Sequence, residues 1–138
     1  MVTELYGIGD ASAREMWGAG DRIAELATLA QVVARAAESD GGATVSVMAP
    51  PFEPDDASEA ALLAERLTVL RFHRFDAHVA AWRAAGLTAQ QIMTLGPGPD
   101  RDAIEADTNR RAATPYRALS AAERLGLLAG LGSLNGQV

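Results

Sequence analysis

ALLAERLTVLRFHRFDAHVAAWRAA, residues 61–85, contains neither proline nor glycine and is rich in Ala, Leu, Glu and Arg, all good helix formers. With residues set about 100° apart on a wheel, Leu63, Leu67, Leu70, Ala77 and Ala81 form one apolar stripe. Phe72, Phe75, Val79 and Trp82 form a second stripe on roughly the opposite side. A helix apolar on both sides is expected to be buried on both. The spacing therefore predicts a central helix that starts at Ala57 or Ser58, runs to about Ala85 and is closed by Gly86.

The same turns carry Arg71, His73, Arg74, Asp76 and His78, which include both histidines of the chain. On the wheel Arg74 falls within the Leu stripe, with Arg71 and His78 a turn to either side, while His73 and Asp76 share a flank between the stripes. Charge on a doubly buried helix costs several kcal/mol per ion unless it is paired. Either these groups satisfy one another as an internal network, or they line a cavity that admits water and a ligand. In the second case Arg71 and Arg74 are the candidates to hold a carboxylate or phosphate, since guanidinium presents a rigid fork to such groups. Phe75 and Trp82 would supply the apolar wall. His73 or His78, oriented by Asp76, would be the candidates for acid–base catalysis. A metal site is not expected, because His73 and His78 are five residues apart, about 140° around a helix, and cannot chelate one ion as an i, i+4 pair does.

Outward from this helix, the chain alternates helical stretches with Gly/Pro breaks. Asp10-Ala11-Ser12 opens a short helix through Met16 and Trp17, so that residues 1–20, with Gly7-Ile8-Gly9, are expected to be a flexible arm. Asp21 starts a helix from Arg22 to about Glu38, with Ile23, Leu26, Ala27, Ala30, Val33, Ala34 and Ala37 at three-to-four spacing and Asp40-Gly41-Gly42 as its stop. Thr44–Met48 alternates as one short strand or extended arm, within an extended acidic connector over 43–56. Thr88 caps a helix from Ala89 to Leu95, and Gly96-Pro97-Gly98-Pro99-Asp100 is a loop. A helix from about Arg101 to Ala113 is interrupted by Thr114-Pro115. Ser120 and Glu123 form a capping box for a last helix, which frays through Gly130, Gly132 and Gly136. Asn109, Arg110, Arg111, Pro115 and Tyr116 are further candidates for the polar side of a pocket. The fold class expected is all-α, a single domain over 1–138.

Composition narrows the chemistry. Over 138 residues the chain has no Cys and a net charge of −6. That removes disulfides, zinc ribbons, iron–sulfur clusters and thiol nucleophiles. All twelve basic residues are Arg. Without Lys there is no Schiff-base chemistry, no pyridoxal attachment and no Walker-type phosphate loop, and no cofactor is expected. The acidic balance disfavours phosphate backbones and anionic membranes. No apolar window reaches the length of a membrane span, and no signal peptide is visible, which makes the cytoplasm the expected compartment.

Ala77–Ala85, Gly86-Leu87-Thr88 and Ala89–Leu95 form a helix–turn–helix pattern that resembles MarR-type winged-helix regulators. Asp102–Thr108 and Ala118–Leu125 resemble the tail of that family, where its dimerisation helices lie. Arg71–Leu87 with Ile104–Leu131 is also similar to the C-terminal half of longer, uncharacterised actinobacterial proteins of MarR-like type. The likeness spans roughly residues 57–134. It implies a helical, homodimeric, ligand-responsive protein. The second helix of the motif departs from the pattern, offering Thr88, Gln90, Gln91, Met93 and Thr94 without a basic residue. Leu95–Asp100 is too short for a β-wing, and phosphate contacts need positive charge. The expectation is thus a small-molecule-binding helical domain that has lost DNA reading, its ligand carrying an acidic group. Two alternatives stand beside it: a cofactor-free isomerase or cyclase working in the same pocket, and a ligand-responsive transcriptional regulator.

Overall fold

The computed structural model describes residues 2–18 and 20–135, and side chains within 9–18 and 20–134. Its elements are α1 (Val2–Trp17), α2 (Asp21–Asp40), α3 (Ala43–Met48), α4 (Glu59–Ala84), α5 (Ala89–Thr94), α6 (Pro99–Ala112), a 3₁₀ turn (Thr114–Ala118) and α7 (Ala121–Asn135). Among the described residues there is no strand, and the fold is all-α.

α4 is the axis of the molecule and packs against α1, α2, α3 and α6. The seven apolar residues expected on the inner face of α2 are its buried set. Four of them are Ala, which lets α2 lie close to α4. Leu63, Val69 and Leu70 of α4, Leu119, and Leu127 and Leu134 of α7 complete this main core. A smaller cluster of Ala81, Trp82, Ile92 and Ile104 ties the end of α4 to α5 and α6.

Capping chemistry sets the boundaries. Ser58 accepts the Ala61 amide at 3.1 Å at the start of α4. Thr88 and Gln91 form a reciprocal capping box on α5. Ser120 and Glu123 do the same for α7, each bonding the other's amide. α7 continues past Gly130 and Gly132 to Asn135, and Gly136 lies outside the described residues.

Three expectations are corrected. Residues 2–17 are helical throughout instead of a flexible arm, because α1 is pinned from the side: Asp10 pairs with Arg14 and accepts from the Ser58 hydroxyl and amide, and Ala13 is buried. Thr44–Met48 is helix, not strand. Its β-branched pattern is overridden by a tertiary contact, since the Asp76 carboxylate accepts the amides of Thr44 and Val45 at 3.1 and 2.9 Å and Val45 is buried. The extended part of the 43–56 connector is therefore only its second half. Finally, α4 is not buried on two sides: Trp82 is inside, but Phe72 and Val79 are half-buried and Phe75 is 55% exposed.

The α2–α3 corner tolerates no added atom. A Cβ on Gly41 would sit 2.5 Å from Val45 Cβ and 2.9 Å from the Ala37 carbonyl oxygen, and backbone cannot step aside. Gly126, on α7, has open space around it. Gly41→Ala is expected to destabilise by about 2 kcal/mol. Gly126→Ala should stabilise by about 0.5–1 kcal/mol. Urea unfolding of the two variants must show opposite signs.

Candidate functional site

The second half of α4 holds the seven residues singled out above, and the structure distributes them over three open grooves. His73 is buried, 4% exposed, and its Nε2 lies 3.1 Å from Asp40 Oδ2 at the end of α2. A carboxylate oxygen only accepts, so Nε2 carries a proton and donates it to Asp40. Asp76 does not orient it. Its carboxylate is committed to α3, and burial, which raises its pKa, is outweighed by the Val45 and Thr44 amides, so the group stays ionised below the usual aspartate range. His73 and Asp76 sit side by side on α4 but face different neighbours, one the end of α2 and the other the start of α3. The expected His–Asp pair is corrected to His73–Asp40.

His78 finds a third partner. Its Nδ1 is 3.2 Å from Thr108 Oγ1, and that hydroxyl spends its only proton on the Ile104 carbonyl at 2.8 Å. His78 must therefore donate from Nδ1. Arg74 is exposed beside the Leu stripe instead of inside it, and its guanidinium bonds Asn109 Oδ1 and Glu105 on α6.

The first groove, about 250 Å³, lies where the α2–α3 corner meets α4 and is lined by Asp40, Gly41, Gly42, His73, Asp76 and Arg111. The second, about 520 Å³, runs between α4 and the end of α6. Leu67, Leu70 and Ala112 give it apolar walls, while Arg71, His73, Arg74, Asn109 and Tyr116 supply polar groups. The third, about 410 Å³, lies between α4 and α5 and holds Phe75, His78, Val79, Trp82, Ile92 and Met93, with Arg101. The single enclosed pocket joining all seven residues is thus replaced by three clefts, with His73 shared by two of them.

Within the second groove, Arg71 is exposed and makes no hydrogen bond or ion pair with a described residue. The Tyr116 hydroxyl likewise has no partner there. Burial pushes the Tyr116 pKa up against the pull of Arg74, which keeps the phenol protonated and able to donate. A free guanidinium and a protonated phenol beside leucines can receive an anionic head and an apolar body together.

The residue that the stripe analysis passed over is Arg66. It is 6% exposed, bonds Glu53 through Nε at 2.7 Å and gives Nη1 to the Ala27 carbonyl at 2.7 Å. The signal was present, because 63, 66, 70, 73 and 77 share one face of the wheel. Asp40 was visible only as a helix stop. Among the described residues no three His, Asp or Glu side chains converge as a metal site would require, and no helix is long and apolar enough to cross a membrane.

No family model, no curated protein and no solved structure matches this chain. The class that the fold defines is an all-α helical protein built around one long helix.

The Asp76 contact has a pH signature. A carboxylate whose folded pKa is lowered adds stability above its unfolded pKa and loses it as pH falls through the folded value. Asp76→Asn should lower stability by about 1 kcal/mol at pH 7, in line with loss of a helix cap. Urea titrations repeated near pH 2.5 should show that deficit shrinking; a deficit of equal size at both pH values would show that the charge is not what matters.

Proposed function

We propose that this protein binds a small molecule with an acidic group in the groove between α4 and the end of α6, as a helical domain of MarR-like ancestry that does not read DNA. The observation that carries this is Arg71, a guanidinium without a partner at the rim of a groove walled by Leu67 and Leu70. Arg74, held in place by Asn109 and Glu105, and Tyr116 complete the polar end. Such a site is mostly apolar with a few placed polar groups, as ligand clefts usually are.

Two features weigh against DNA as the ligand. α5, the second helix of the motif, has no basic residue, and the helix that follows it, α6, opens with the exposed acids Asp100 and Asp102, which would repel phosphates. The isomerase or cyclase alternative loses Asp76 as its orienting group, which is occupied at α3, and would have to work through the His73–Asp40 pair instead. The same proposal retains a homodimer through α7, on which Leu125 and Leu128 are 68% and 70% exposed.

Decanoate and 1-naphthoate, titrated against isotope-labelled protein, probe the groove with an aliphatic and a flat body. The expected outcome is amide shifts at Leu67, Leu70, Arg71 and Tyr116. Binding should weaken about tenfold or more in Arg71→Ala, since a charge-assisted bond is worth about 1.5–3 kcal/mol. Decanol should bind more weakly than decanoate. If neither carboxylate moves these signals, or if Arg71→Ala binds as well as the parent, the proposal is wrong.

A further inference from the structure

The third groove is not used by that reading and has a different character. Phe75 on α4 and Met93 on α5 line it while remaining 55% and 85% exposed, so two large apolar side chains stand at the solvent edge of one trough. Beneath them Trp82 and Ile92, each 9% exposed, give a firm floor anchored in the smaller core. Isolated exposed apolar residues need no explanation, but a contiguous apolar trough does.

Charge selects the occupant. No carboxylate is among the side chains lining this groove, although the chain is net −6. Its charged member is Arg101, fixed by donating to the Leu95 carbonyl at 2.6 Å. Arg83 is not in the lining but stands over one of its residues, its guanidinium 5.3 Å from the Trp82 ring centroid. His78 presents its Nε2, which has no partner among the described residues.

We propose that the trough between α4 and α5 docks an amphipathic helix of a partner protein, whose apolar ridge enters between Phe75 and Met93 and whose flanking acidic residues meet Arg83 and Arg101. Helix-in-groove recognition requires an apolar cleft of this kind, with the flanking charge setting which helix is accepted. A second copy of this chain is a poorer occupant. The exposed apolar face of its α7 carries one acid, Glu123, and one base, Arg124, and so brings no net negative charge to the arginines.

An 18-residue helical peptide with Leu at i, i+3, i+4 and i+7 and Glu elsewhere is the probe, with a Lys-for-Glu twin as control. The chain has two Trp and four Met. A Trp17→Phe background therefore makes Trp82 the sole tryptophan, whose emission is excited selectively over the two tyrosines, and the Met93 methyl is resolved by ¹³C labelling. The Glu peptide should shift both signals. Phe75→Ser and Arg101→Gln should each weaken it by about tenfold, about 1.4 kcal/mol, while Arg71→Ala leaves it unchanged. Circular dichroism of each variant confirms that the fold survives. The proposal fails if the Glu peptide moves neither signal, or if the Lys twin binds equally well. It fails also if sedimentation shows self-association that Phe75→Ser abolishes, since a second copy then covers the trough. Sensitivity to Arg71→Ala would place the peptide in the other groove and likewise overturn it.

Discussion

The buried face of α4 carries two side chains that cannot be buried alone, Arg66 and His73, two helical turns apart and 6% and 4% exposed. An uncompensated charge or imidazole there would cost several kcal/mol, so whatever packs on this face must bring acceptors to two fixed points. α2 brings both: the Ala27 carbonyl reaches Arg66 and the Asp40 carboxylate reaches His73. Those contacts, 13 residues apart on α2 and seven on α4, follow one another in the same chain direction and so specify a parallel pairing and its register. A purely apolar Ala/Leu face would pack at several offsets with similar energy. Glu53 on Arg66 then ties the connector after α3 to the same helix, and Asp76, one turn on from His73, starts α3.

What was legible in the sequence follows from where the determining contacts lie. The inner face of α2 and the caps at Ser58, Thr88 and Ser120 depend on residues within a few positions of one another, and periodicity or capping chemistry finds them. Thr44–Met48 depends on a carboxylate 31 residues away, and nothing local distinguishes that helix from a strand. α1 is similar, because its anchor is Ser58, 48 residues beyond Asp10. The Phe72–Trp82 stripe misled for another reason. Apolar periodicity reports that a face is greasy, not that the chain itself covers it, and Phe75 is left at the surface.

The candidate site shows the same division. Its residues were visible as a cluster of ionisable groups on one helix, but a wheel gives direction and not partner. His73, Asp76 and His78 point at α2, α3 and α6 respectively, and each is engaged by the first group it meets. A cluster compact in sequence is thereby divided among three walls. Asp40 could not have been chosen over Asp76 without knowing that α2 ends beside α4, which is a property of the whole packing.

Structural use of the acids also explains how an acidic chain comes to have cationic grooves. Asp10, Asp40, Glu53, Asp76, Glu105, Asp107 and Glu123 all have internal partners, either Arg, His and Ser side chains or the backbone amides of helix starts. Their charge is consumed locally, while Arg71 and Arg83 have no acid partner among the described residues. The net charge of −6 therefore describes the far field, while the near field within the second and third grooves is set by Arg71, Arg74 and Arg101. Because the Debye length is about 8–10 Å in physiological salt, a ligand within a groove responds to the second of these. A negative far field and an unpartnered guanidinium at Arg71 are thus compatible features of one surface, separated only by the distance over which each is felt.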